Sequence, residues 1–170
     1  SFTFKANNGT VDSATKTVTI KVIAGYKSTA NQIGANIDGE DLESINPNAG
    51  AGDRQGKSVS FNEDHTVMAV GANGHDSKGT VRVYTYNGTA WTQQGGDIDG
   101  TGSNDNQGRS VSLSSDGTTL AVGAFFHDFD SKGTVRVYTY NGTGWVQKGS
   151  DLDGEAGDWQ GQSVSLSSDG

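Results

Sequence analysis

The stretch DSKGTVRVYTYNGT occurs twice without a change, at 76–89 and 130–143. Two further blocks recur with it. QGKSVS at 55–60 returns as QGRSVSLSSDG at 107–117 and as QGQSVSLSSDG at 160–170. NIDG at 36–39 returns as DIDG at 97–100 and DLDG at 151–154. The period is about 53 residues, at the upper end of the roughly 20–50 residues at which self-similarity signals a repeat architecture. The chain holds two complete units, a diverged start and the beginning of a third.

Each unit divides into strand candidates. In the second they are SVSLS (110–114), TTLAVGA (118–124), TVRVYTY (134–140) and the segment from Trp145 to Lys148, with turn signals SSDG and Asn-Gly between them. Asn-Gly is a strong hairpin signal. Period-two alternation runs through these segments and no helical period competes with it. The expectation is all-β: four-stranded antiparallel sheets, one per repeat. TVRVYTY carries large groups on both faces, unlike a sheet with one wet face. SVSLS and LAVGA are small, as suits sheets that crowd together. Sheets of this size, repeated and packed face to face, are propeller-type blades. Two full repeats fall short of the four blades a closed propeller needs, so the set is incomplete.

At these residues the chain resembles the FG-GAP repeat of integrin α-type propellers. The G-x-S-V elements are Gly56, Ser58; Gly108, Ser110; and Gly161, Ser163. The V-G-A elements centre on Gly71 and Gly123, and Trp91 and Trp145 close each unit. The likeness is greater to FG-GAP-like repeats of microbial surface proteins and covers about residues 31–170. The resemblance implies a non-catalytic extracellular or cell-surface protein, acting in adhesion or as a scaffold, whose loops meet protein or glycan. It departs from the integrin pattern at the first turn. SSDG and NEDH are too short for the D-x-[DN]-x-D-G calcium loop. The opening SFTFKANNGTVDSATKTVTIKV reads as two strands with Phe2 and Phe4 alternating in one and Val18, Ile20 and Val22 in the other. It resembles the end of a cadherin-like or immunoglobulin-like β-sandwich. The expected division is therefore 1–24, the end of a sandwich module, and 25–170, partial propeller repeats, with a linker near 24–30.

Bulk properties restrict the function. The net charge is −8 and the 12 Lys and Arg are scattered, which argues against a phosphate-backbone partner. No apolar run approaches the ~18 residues of a membrane helix. There is no cysteine, so thiolate chemistry and disulfides are excluded. The chain begins at Ser1 and stops on a turn sequence, and is read as a segment of a longer protein.

Three sets of residues carry candidate chemistry. Asp97, Asp99 and Asp105, and in the next unit Asp151, Asp153 and Asp158, could supply oxygens to Ca²⁺; the plainer reading is solvated Asp-Gly turns. Asn8, Asn87 and Asn141 head N-x-[ST] sequons, glycan acceptors on a glycosylating secretory route; at 87 and 141 hairpin chemistry alone explains the Asn-Gly pair. His75 and His127 sit beside Asp76 and Asp128 but lack a nucleophile or oxyanion motif, so no enzyme is expected. Arg82 and Arg136, mid-strand, are expected to pair with loop carboxylates. Phe125, Phe126 and Phe129 crowd one loop, and Trp159 joins Trp91 and Trp145 as an expected anchor between sheets. Two alternatives remain: a subunit of an extracellular filament completed by neighbouring protomers, and a propeller-type glycoside hydrolase, which needs facing paired carboxylates.

Overall fold

The computed structural model describes residues 2–4, 16–18, 35–38, 52–127 and 131–170. Asn8, Asp128, Phe129 and the expected linker lie outside them. The chain divides into two compact units, Ser1–Gln32 and Ile33–Gly170. In the first, β1 (Phe2–Phe4) pairs antiparallel with β2 (Lys16–Val18), Phe2 opposite Val18.

The second unit is built of two antiparallel sheets with the same plan. Sheet one runs β3 (Gln55–Phe61), β4 (Val67–Ala72), β5 (Thr80–Tyr86) and β6 (Trp91–Gln93), with β7 (Ile98–Asp99) also on β5. Sheet two repeats this as β8 (Gln107–Leu113), β9 (Thr119–Ala124), β10 (Thr134–Tyr140) and β11 (Trp145–Gln147), with β12 (Leu152–Asp153) on β10. Among the described residues there is no α-helix, and no helix long and apolar enough to cross a membrane.

β6 and β7 lie along one edge of β5: Tyr86 faces Trp91, and Thr80 faces Asp99. They form one outer strand interrupted at 94–97. The I-D and L-D pairs are thus strand residues rather than the loop expected from their Asp-Gly content. A two-residue strand offers no alternation to read, which is why the pattern hid it. The Asn-Gly hairpins also differ from the two-residue turn. Their loops span four residues. Gly88 alone takes the left-handed conformation (φ 96°), while Asn87 Oδ1 accepts from the Thr89 and Ala90 amides and the Thr89 hydroxyl. Asn141 repeats the arrangement.

The register sorts each sheet into two unlike faces, because residues paired across a ladder share a face. One face of sheet one carries Val59, Val70 and Arg82 in a row, then Phe61, Met68 and Tyr84. The other carries Ser58, Ser60, Ala69, Gly71, Val81 and Val83. This thin, small-residue face receives the large face of sheet two. Val67, Ala69, Val81, Val83 and Ile98 form one buried cluster with Val111, Leu113, Leu120, Val122 and Tyr138.

Close approach is written into the inner strands. A Cβ on Gly71 would stand 2.1 Å from the Gly108 carbonyl oxygen and 2.4 Å from Ser58 Oγ. Gly123 stands likewise against the Gly161 carbonyl. Ser58 Oγ donates to the Gly108 carbonyl, and Ser110 Oγ to that of Gly161, both at 2.8 Å. Ser60 Oγ then accepts the Leu113 amide, and Ser112 Oγ the Leu166 amide, both at 3.0 Å. The G-x-S-V and V-G-A elements are therefore the two sides of one seam. Gly56 and Gly108 sit at the bulges that shift the register before Ser58 and Ser110, with φ of 83° and 82°.

Candidate functional site

The polar residues that recur with the repeat converge at the outer end of the seam. Arg136 leaves β10 on its large face and is almost wholly buried. Its Nε donates to Asp151 Oδ2 at 2.8 Å, its NH1 to Gln107 Oε1 at 2.7 Å and its NH2 to Thr101 Oγ1 at 3.0 Å. Gln107 in turn donates to the Ile98 carbonyl of sheet one at 2.7 Å. One Gln thus ties the outer strand of the preceding repeat to the Arg of its own. Arg82, Gln55 and Asp97 repeat the motif, with Gln55 donating to the Ile37 carbonyl at 3.0 Å. Gln160 reaches the Leu152 carbonyl in the same way.

A buried carboxylate completes each group. Asp53 Oδ1 stands 3.1 Å from His75 Nδ1 and its Oδ2 3.7 Å from Arg82 NH1. Asp105 Oδ1 stands 3.1 Å from His127 Nδ1 and its Oδ2 3.9 Å from Arg136 NH1. Burial opposes the charge on Arg136, but Asp151 outweighs it and raises the guanidinium above its usual range. The Arg136 hydrogen bond conversely holds the Asp151 carboxyl below the ordinary carboxylate range. Burial pushes the Tyr138 hydroxyl up.

The six aspartates singled out by the sequence therefore separate into distinct roles. Asp97 and Asp151 hold the arginines. Asp105 is buried beneath His127 and Arg136. Asp158 is exposed, and its Oδ2 caps the Glu155 amide at 2.9 Å. Asp99 and Asp153 end β7 and β12, each grouped with a histidine. The donor atoms of His75, Asp97 and Asp99 all lie within 4.8 Å of one another, as do those of His127, Asp151 and Asp153. The histidines gave a sequence signal, their near-equivalent repeat positions, but their meeting with these aspartates depends on the interrupted outer strand. The SSDG turn uses its own acid: Asp116 accepts from the Ser114 hydroxyl and from Thr118, which lowers its pKa.

The remaining residues are placed as follows. Trp145 Nε1 donates to the Gln94 carbonyl of sheet one at 3.1 Å, bridging the sheets. Trp91 packs its ring on Phe61 and Tyr86. Trp159 is not an anchor of this kind. It is 45% exposed, takes φ of 56° and lies 6.0 Å from Phe125, which also receives the Arg109 guanidinium. Asn87 and Asn141 are exposed, and their side-chain oxygens carry the loop hydrogen bonds. An open hollow of about 480 Å³ spans the ends of the inner strands, lined in part by Phe61, Glu63, His65, Leu113 and Leu166.

Comparison of the sequence with protein-family models finds no match, and comparison with curated proteins finds none.

Proposed function

We propose that the chain is a non-catalytic scaffold of stacked FG-GAP-like sheets in an extracellular or cell-surface protein, presenting its loops for adhesion to protein or glycan. The observation that carries this reading is an internal comparison. At β3 and β8, the first strand of each sheet, equivalent side chains of the two repeats differ in burial. Val111 and Leu113 are 9% and 7% exposed beneath sheet one, whereas Val59 and Phe61, their counterparts on β3, are 49% and 43% exposed, although Val70, Arg82 and Tyr84 on that face are buried. On the thin face, Ile98 is 6% exposed and Leu152 is 54%. The repeat is a stacking module whose faces are satisfied by others of its kind. Its recurrent polar residues serve the stack: Asp97 and Asp151 are engaged by arginines, which favours a scaffold over a hydrolase with free paired acids.

The test is attachment together with turnover. Beads coated with the chain should hold saturably to a surface protein or glycan, and a panel of glycoside substrates should be left intact. Turnover that survives repurification, or no attachment to any surface component, overturns the reading.

The exposed Val59, Phe61 and Leu152 favour a second reading, a filament in which sheets of neighbouring protomers continue the stack. Electron microscopy of the chain at rising concentration separates the two: rods support the filament and discrete monomers reject it.

A further inference from the structure

The outer end of each repeat also brings a histidine and a second aspartate to the acid that holds the arginine. His75 stands in the turn after β4, Asp97 in the break between β6 and β7, and Asp99 on β7. Their donor atoms fall within one 4.8 Å group, and the same three residue types form the same group in the second repeat at His127, Asp151 and Asp153.

Two observations outside that group point into it. Thr80 lies directly opposite Asp99 in the β5–β7 ladder and two residues from Arg82, so its side chain shares their face. Its hydroxyl is fully buried and has no hydrogen-bond partner. A buried hydroxyl without a partner is costly, and here it shares a face with the Asp99 carboxylate, whereas its counterpart Thr134 donates to the Leu152 carbonyl at 3.3 Å. Second, buried Asp53 faces His75 Nδ1 at 3.1 Å. That contact favours the tautomer with its proton on Nδ1 and the lone pair on Nε2, the outer-shell arrangement that orients metal-binding histidines. The nearest carboxylate oxygen of Asp76 is 3.6 Å from Nε2, beyond hydrogen-bond reach. The surroundings are anionic: Asp53, Asp76, Asp97 and Asp99 stand against Arg82.

We propose that His75, Asp97, Asp99 and the Thr80 hydroxyl form a site for a divalent transition ion of the Zn²⁺ class, with Asp53 as the residue that orients His75. His127, Asp151 and Asp153 form its counterpart in the second repeat. One imidazole nitrogen among carboxylate oxygens suits Zn²⁺, whereas Ca²⁺ takes six to eight oxygen ligands. The assignment differs from an all-aspartate calcium site in requiring the histidines and in leaving out Asp105 and Asp158.

The test is calorimetric titration of the whole chain, stripped with chelator, with ZnCl₂ and separately with CaCl₂. The imidazole resonances are followed by NMR. Saturable Zn²⁺ binding that shifts the His75 and His127 signals and spares His65 is expected. Asp99→Asn, at an exposed position, should weaken the first site tenfold or more and leave the His127 response intact. Asp153→Asn should do the reverse, and Thr80→Val should weaken the first site alone. His75→Gln disturbs a buried pair, so the Asp99 variant carries the decision. No saturable Zn²⁺ binding at about 1 mM, unchanged binding in Asp99→Asn, or preference for Ca²⁺ overturns the proposal.

Discussion

Gly71 and Gly123 show how little room a single position can leave. The Cβ of alanine at either would overlap a carbonyl oxygen of the next repeat, and backbone cannot step aside as a side chain can. Gly71→Ala and Gly123→Ala should each cost about 1–3 kcal/mol or more, read as a fall in the urea midpoint. Gly96→Ala, with nothing within 4 Å of the added methyl, should change it little. Arg136 is the other sensitive residue. Arg136→Met leaves Asp105 buried with its cationic partner gone, a loss of about 3–5 kcal/mol. The same pairing has a pH signature. Because Arg136 depresses the Asp151 carboxyl in the folded state, its contribution is complete above the usual carboxylate pKa of about 3.9. It fades as pH falls from there through the lowered native value. The stability gap between the wild-type chain and Asp151→Asn should therefore be constant at neutral pH and shrink below about pH 4. The pairing of the mid-strand arginines with acids was readable in sequence, since a charge on a buried strand needs a partner. The place of Asp105 was not, because its chain neighbours are polar and its burial comes from a histidine and an arginine far along the chain.

Strands of seven residues announced themselves and strands of two did not. β5 and β10 have identical sequences and clear alternation, and they form as that alternation requires. β7 and β12 are held by the Gln that reaches their carbonyls and by pairing to β5 and β10, which are long-range causes. The Asn-Gly loops were recognised as turns, but the loop length and the use of the Asn side chain follow from where Trp91 and Trp145 must begin the next strand. Asn87→Ala removes an acceptor serving three donors. It should lower stability by about 1 kcal/mol, checked by thermal unfolding, and Asn141→Ala should match it.

Across the whole stack, position relative to a neighbour decides what a residue is worth. Leu113 and Phe61 occupy equivalent places on the large faces of their sheets, yet only Leu113 is covered. Leu113→Ala should cost about 2–4 kcal/mol and Phe61→Ala clearly less, measured by chemical denaturation of the same chain. The seam has a further consequence. Both repeats offer their successor the same glycine notch and serine hydroxyls, and the successor brings the same glycine carbonyl to meet them. An in-frame duplication of some 53 residues would arrive already matched at both borders, so such a gene can grow or shrink by whole units while each junction stays sound.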